Sequence, residues 1–103
     1  MQFLVIAYDG TDSEAPARRA KVRQQHLDGV KKLAKEGKAV FGAALIGEDG
    51  SMIGSSMVME YDSKEELLED WFNQEPYVMG EVWKDVTIKP CKVSDFFLDK
   101  SLL

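Results

Sequence analysis

The stretch Ala39 to Tyr61, AVFGAALIGEDGSMIGSSMVMEY, decides the fold. It holds two strand-like runs, Ala39 to Ile46 and Met52 to Tyr61, parted by Glu48-Asp49-Gly50, residues that tight hairpin turns require. Two strands in tandem with so short a link pair antiparallel, and what flanks them then sets the topology.

Upstream, Gln2 to Tyr8 is a continuous apolar, β-branched and aromatic run stopped by Asp9-Gly10, which reads as a strand. Phe3, Val5 and Ala7 point one way and Leu4, Ile6 and Tyr8 the other, so both faces of the sheet want cover. Thr11 to Pro16 carries Asp12, Ser13 and Pro16, a loop entering a helix. The helical pattern then runs from about Pro16 to Glu36, with Lys31, Lys32 and Lys35 near the negative end of its dipole and Gly37 as the stop.

Downstream, Ser63 and Glu66 form a capping-box pair that opens a second helix through Leu67, Leu68 and Trp71. Pro76 bars helical geometry at Glu75, so this helix is expected to end near Asn73. Val82 to Lys89 returns to strand alternation, with Val82, Val86 and Ile88 on one face and Pro90 after its end. The order strand, helix, strand, strand, helix, strand predicts an α+β, ferredoxin-like βαββαβ domain. Its four-stranded antiparallel sheet carries both helices on one face. The other face has only the tail to cover it, Phe96, Phe97, Leu98, Leu102 and Leu103, so a homodimer packing sheet on sheet or tail on partner is expected. The chain reads as a single domain over 1–103, with a core at 2–92 and a tail at 93–103 docking on that core or on a partner.

A chain of 103 residues suits one hydrophobic core. Its 13 basic and 18 acidic residues leave a negative average field that repels phosphate backbones, and no basic patch with interleaved aromatics offsets it, so nucleic-acid binding is not expected. No run approaches the roughly 20 apolar residues a membrane span needs. The one cysteine, Cys91, has no internal partner, which suits a reducing, cytoplasmic location.

Chemistry concentrates on the first helix. Helical phase puts Ala20, Leu27, Val30, Leu33 and Ala34 on a stripe facing the sheet, and Arg19, Arg23 and His26 fall in the same sector. Buried guanidinium groups need anionic company, because an unpaired buried charge costs several kcal/mol as an order-of-magnitude estimate. In the structural reading, Asp9 or Asp12 supplies it and His26 is a hydrogen-bonded core residue. In the functional reading a ligand supplies it, and His26 shuttles protons beside an orienting carboxylate. Glu75, fixed by Pro76 just past a helix end, is one candidate carboxylate, and a solvated loop glutamate is its plainer reading. One His and one Cys give no zinc set, and the glycines sit on strands and a hairpin rather than in a phosphate loop, so no metal or cofactor is expected. Met52, Met57 and Met59 read as core or interface filler.

Taken together, Arg19-x-x-x-Arg23-x-x-His26-Leu27, Gly37, Phe41-Gly42, the hairpin, Tyr61-Asp62-Ser63-Lys64-Glu65-Glu66, Glu75-Pro76-Tyr77 and Lys89-Pro90 resemble the YciI-like (YCII-related) family from Phe3 to Lys92. The resemblance implies a dimeric ferredoxin-like α/β protein, of the dimeric α/β barrel kind, with a proposed His and Asp site. A few such relatives act on small molecules, among them a dehydrochlorinase of a chlorinated hydroxyhydroquinone, and the fold is similar to that of muconolactone isomerase. It assigns His26, Glu75 and Asp9 to catalysis, with Arg19, Arg23, Tyr77 and Gly42 as substrate contacts. Two positions depart from the family pattern. Asp-Pro-Tyr reads Glu75-Pro76-Tyr77, and Gly-Pro after strand two reads Gly42-Ala43, which loosens a loop lining the site.

The expected function is general acid/base chemistry on a small anionic or phenolic ligand, an elimination or isomerisation. A non-catalytic metabolite-binding or protein-interaction module is the alternative, and a purely structural role for the polar cluster is a third reading.

Overall fold

A computed structural model describes all 103 residues. The elements are β1 (Gln2–Asp9), α1 (Ala15–Lys35), β2 (Ala39–Ile46), β3 (Met52–Glu60), α2 (Lys64–Asp70), a 3-10 turn (Phe72–Gln74), α3 (Pro76–Met79), β4 (Trp83–Cys91), α4 (Asp95–Leu98) and a last 3-10 turn (Lys100–Leu102). The sheet order is β2-β3-β1-β4 with every neighbour antiparallel, the ferredoxin-like arrangement expected.

Registers show why one face is the core. Phe3, Val5 and Ala7 of β1 stand opposite Met59, Met57 and Ser55 of β3, and all six are buried. Leu67, Trp71 and Tyr77 close over them, with Val22, Val30 and Leu33 of α1 packed alongside. Gly54 allows β1 and β3 to approach, since a Cβ there would meet the Ala7 carbonyl oxygen at 2.3 Å. Gly37 ends α1 in the left-handed region, φ +79°, where a side chain is strained.

Several expectations are corrected. The inward stripe of α1 is Ala15, Arg19, Val22, His26, Val30 and Leu33, while Ala20, Leu27 and Ala34 are exposed. Alanines lose little by facing water, whereas Arg19 and His26 meet carboxylates inside. Pro90 lies within β4 rather than after it. It is tolerated because β4 is an edge strand, where a missing N–H removes no ladder bond. After the second helix the chain makes an unforeseen turn of helix, α3, with Pro76 at its first position and the Glu75 side chain accepting from Tyr77 N–H. Gly42-Ala43 is mid-strand, not loop. The sheet is open, with β2 and β4 as free edges, so the barrel expectation does not describe this chain; four strands do not curl far enough to close.

The far face of the sheet carries Leu4, Ile6, Tyr8, Phe41, Leu45 and Val58, and Phe41 is 56% exposed. The tail does not bury its own apolar groups: Phe96 and Phe97 pack on each other at 4.6 Å and stay exposed. No helix is long and apolar enough to cross a membrane.

At the base of α2, Asp70 accepts from Tyr61 O–H at 2.7 Å and Lys38 Nζ at 3.1 Å. The tyrosine hydrogen bond, then the lysine, hold its carboxyl below the usual carboxylate range. The stabilisation is therefore complete above the ordinary carboxylate value and is lost as pH falls through the lowered one. Asp70→Asn is expected to cost about 1 kcal/mol or less at neutral pH, since the pair is solvent-screened. Thermal melts of both proteins along an acid series should converge at the acid end.

Candidate functional site

Helix α1 lays His26 and Arg19 onto the sheet beside α3, and each meets a different carboxylate. His26 Nδ1 lies 2.5 Å from Glu75 Oε1. Glu75 is only 3% exposed, so the solvated-loop reading fails. Its carboxylate also accepts from Trp71 Nε1 at 2.8 Å and from Tyr77 N–H at 3.2 Å. An ionised carboxylate can accept all three donors at once. It therefore takes the Nδ1–H tautomer of His26 and leaves Nε2 as the ring nitrogen available to the cavity that His26 lines. The extra methylene of glutamate over aspartate does not cost contact, because Glu75, at the N-cap of the one-turn helix that Pro76 opens, still reaches Nδ1.

Asp9 does not meet His26. Both of its oxygens lie 2.9 Å from Arg19 Nη1, so its place is to hold the guanidinium. Arg19 in turn sends Nη2 to Ser55 Oγ at 3.2 Å, and Trp83 Nε1 reaches the same oxygen at 3.1 Å. Tyr77, 1% exposed, packs against both His26 and Arg19. Its ring stacks on His26 at 4.0 Å and 17°, with the Arg19 guanidinium 4.6 Å from its centroid on the cation–π side. Burial pushes the Tyr77 phenol above its ordinary value, against the opposing pull of Arg19 and Arg23, so it stays protonated.

These groups border a hollow of about 220 Å³ between α1 and the β2-β3 hairpin, lined by Arg19, Arg23, His26, Ser55 and Tyr77 with Gly42 and its neighbours on β2. Arg23 is exposed at its mouth rather than buried along the helix face, a correction to the helical-phase expectation. It joins none of the chain's ion pairs, and its charge is left to the hollow. Gly42 contributes room: a Cβ there would sit 3.9 Å from Met57, so the position tolerates a small side chain. No group of three or more His, Cys, Asp or Glu is placed to hold a metal ion.

Ser55, Trp71 and Trp83 were not foreseen. Ser55 was detectable, because strand alternation puts it on the face of Met57 and Met59, where a hydroxyl needs partners. The two tryptophans gave only the weaker signal that a buried indole N–H seeks an acceptor.

Known proteins share this arrangement of chain. Protein YciI of Escherichia coli O6:H1 is 29% identical over 98 residues, 89% of this chain and 97% of that protein. An uncharacterized protein of Haemophilus influenzae is 32% identical over the same spans. Among solved structures, the 5-chloro-2-hydroxyhydroquinone dehydrochlorinase of Burkholderia phenoliruptrix AC1100, in complex with 2,5-dihydroxybenzoquinone, superposes with a TM-score of 0.77 at 21% identity, covering 92% of this chain and 97% of that one. A dimeric ferredoxin-like protein from an uncultured marine organism superposes at 0.50 and 15% identity, covering 91% and 97%. At such identities the two structures establish the fold. The YCII-related domain model matches residues 1–92, and with that match and the Haemophilus relative the chain belongs to the YCII-related domain family.

Proposed function

We propose that the protein is a small-molecule enzyme in which His26 Nε2 moves a proton on a hydroxylated ring or comparable anionic or phenolic compound. The observation that carries this reading is the buried Glu75–His26 pair at 2.5 Å, with its free nitrogen on a cavity flanked by two arginines. Nε2 accepts a proton from an O–H or activated C–H of the substrate, and Glu75 balances the charge on the ring. Negative charge gathering on a substrate oxygen is met by Arg23 and the Arg19 edge. The proton then returns at another carbon, an isomerisation, or a halide departs, an elimination. The hollow is smaller than the roughly 300–1,000 Å³ of drug-sized pockets, which favours a single-ring compound. The dehydrochlorinase of the same fold is bound to such a ring.

Asp9 serves by holding Arg19, Tyr77 by packing against His26 and Arg19, and Gly42 by leaving space. The reading includes a homodimer through the apolar far face of the sheet or the tail, and a cytoplasmic setting for the one unpaired cysteine, Cys91.

Two reactions test it: chloride release from 5-chloro-2-hydroxyhydroquinone, and deuterium uptake from D2O into the ring carbons of 2,5-dihydroxybenzoquinone. The wild-type protein is expected to accelerate at least one. Arg23→Gln is expected to lower kcat/KM about 10-fold with most of the loss in kcat, because the guanidinium meets charge that develops as the proton leaves. No acceleration of either reaction would overturn the proposal.

A further inference from the structure

The polar cluster under the cavity is short of acceptors. Ser55 Oγ receives hydrogen bonds from Arg19 Nη2 and Trp83 Nε1, which occupies both lone pairs of a hydroxyl oxygen. Its own hydrogen is then the only bonding capacity left, and no protein acceptor takes it, although the residue is just 4% exposed. Arg19 Nε is likewise buried without a partner. Buried hydroxyls and guanidinium N–H groups rarely stay unpaired, and here two donors, the Ser55 hydroxyl and Arg19 Nε, have no protein acceptor.

The cavity is where the missing acceptor fits. Ser55 lines it, and the strand neighbours of Ser55 are Ala7 on β1 and Ala44 on β2, side chains too short to cover a hydroxyl on the same face. The two groups that donate to Ser55 polarise its O–H, one carrying a full positive charge through Arg19. A hydroxyl so placed is a better donor than a free serine, and its best acceptor is an oxygen bearing negative charge.

We infer that the Ser55 hydroxyl is the donor that seats an anionic oxygen of the ligand, a phenolate, enolate or carboxylate, on the sheet side of the cavity and across from the His26 face. Ser55 thereby selects for ligands with a charged oxygen, and it does so as a binding residue. No base stands within hydrogen-bond range of its oxygen to make it a nucleophile. The inference rests on the cavity being a ligand site, as proposed above, and not on His26 moving a proton.

The test uses 4-nitrophenol, whose phenolate form is read from its yellow absorption, titrated into wild type, Ser55→Ala and Ser55→Thr. Wild type is expected to bind the phenolate in preference to the neutral phenol. Ser55→Ala should weaken that binding about 10-fold or more, the usual worth of a hydrogen bond to a charged group. Ser55→Thr, which keeps the hydroxyl, should restore most of it. Since Ser55→Ala also strips an acceptor from Arg19 and Trp83, which puts the fold at risk, crystals of wild type soaked with the probe give a second reading. They should show the phenolate oxygen within hydrogen-bond distance of Ser55 Oγ. Equal affinity of folded Ser55→Ala and wild type, no saturable binding by wild type, or a soaked phenolate oxygen seated away from Ser55 would each overturn the inference. If Ser55→Ala weakens binding while wild type accelerates no proton transfer, the acid/base reading falls and the oxygen seat stands.

Discussion

Glu75→Gln is expected to remove about as much activity as His26→Gln, on the order of 10²- to 10⁴-fold in kcat, while the protein stays folded. The carboxylate accepts from three N–H groups, His26 Nδ1, Trp71 Nε1 and Tyr77 N, and an amide of the same shape offers one oxygen and one NH2. If the oxygen turns to Trp71, the NH2 faces His26 and compels Nδ1 to accept. The ring proton then moves to Nε2, and the lone pair that faced the cavity is gone. If the oxygen turns to His26, the NH2 opposes the indole N–H, and the dyad still lacks the charge that balances an imidazolium. KM should change little, because neither outcome touches Arg23 or Ser55. The double variant should be no slower than either single one, since the two side chains act as a unit. Deuterium exchange into the dihydroxybenzoquinone ring gives kcat, and nitrogen NMR of the imidazole reports the tautomer. Full activity in Glu75→Gln would remove the dyad from the mechanism.

Tyr77→Ala is expected to produce the largest loss of stability among single substitutions at the site, about 3–5 kcal/mol. The ring is buried against His26 and Arg19 and packs edge-to-face with Trp83 at 5.5 Å. Its removal therefore opens a void and brings an imidazole and a guanidinium toward the same space. Against a total stability of about 5–15 kcal/mol for a domain of ordinary size, the fall in Tm should be roughly 15–30 °C. Tyr77→Phe keeps the plate and both stacking contacts, and its Tm should stay close to wild type. Calorimetry on the two variants checks this; a Tyr77→Ala melt near that of wild type would mean the ring is not a structural support.

Much of the fold was legible because its determinants are local. The alternation in β1 and β3, the Gly50 turn, the Ser63–Glu66 cap and the Gly37 stop each depend on residues a few positions apart. The serine half of the box forms, with Ser63 Oγ accepting from Glu66 N–H at 3.1 Å, while the Glu66 side chain does not reach back to Ser63 N–H. Errors gathered where the local preference is weak. The face of α1 was set one residue off because Ala20 and Ala34 carry too little apolar surface to decide between core and water. The turn of α3 was missed because a proline reads equally as a stop and as a first helical residue.

The site divides along the same line. Arg19 and His26 were marked by their place on an amphipathic helix, and a buried charge or imidazole must have a partner wherever the chain supplies one. Which partner answered which group was open, because His26 and its carboxylate Glu75 lie 49 positions apart and Arg19 and its hydroxyl partner Ser55 36. No local rule spans such distances. Element order, the hairpin and the polar residues of α1 follow from short-range sterics and periodicity, which the amino-acid order carries directly. The pairing of Glu75 with His26, of Asp9 with Arg19, and the acceptor-poor hydroxyl of Ser55 exist only once packing brings α1, α3 and the sheet to within hydrogen-bond range of one another.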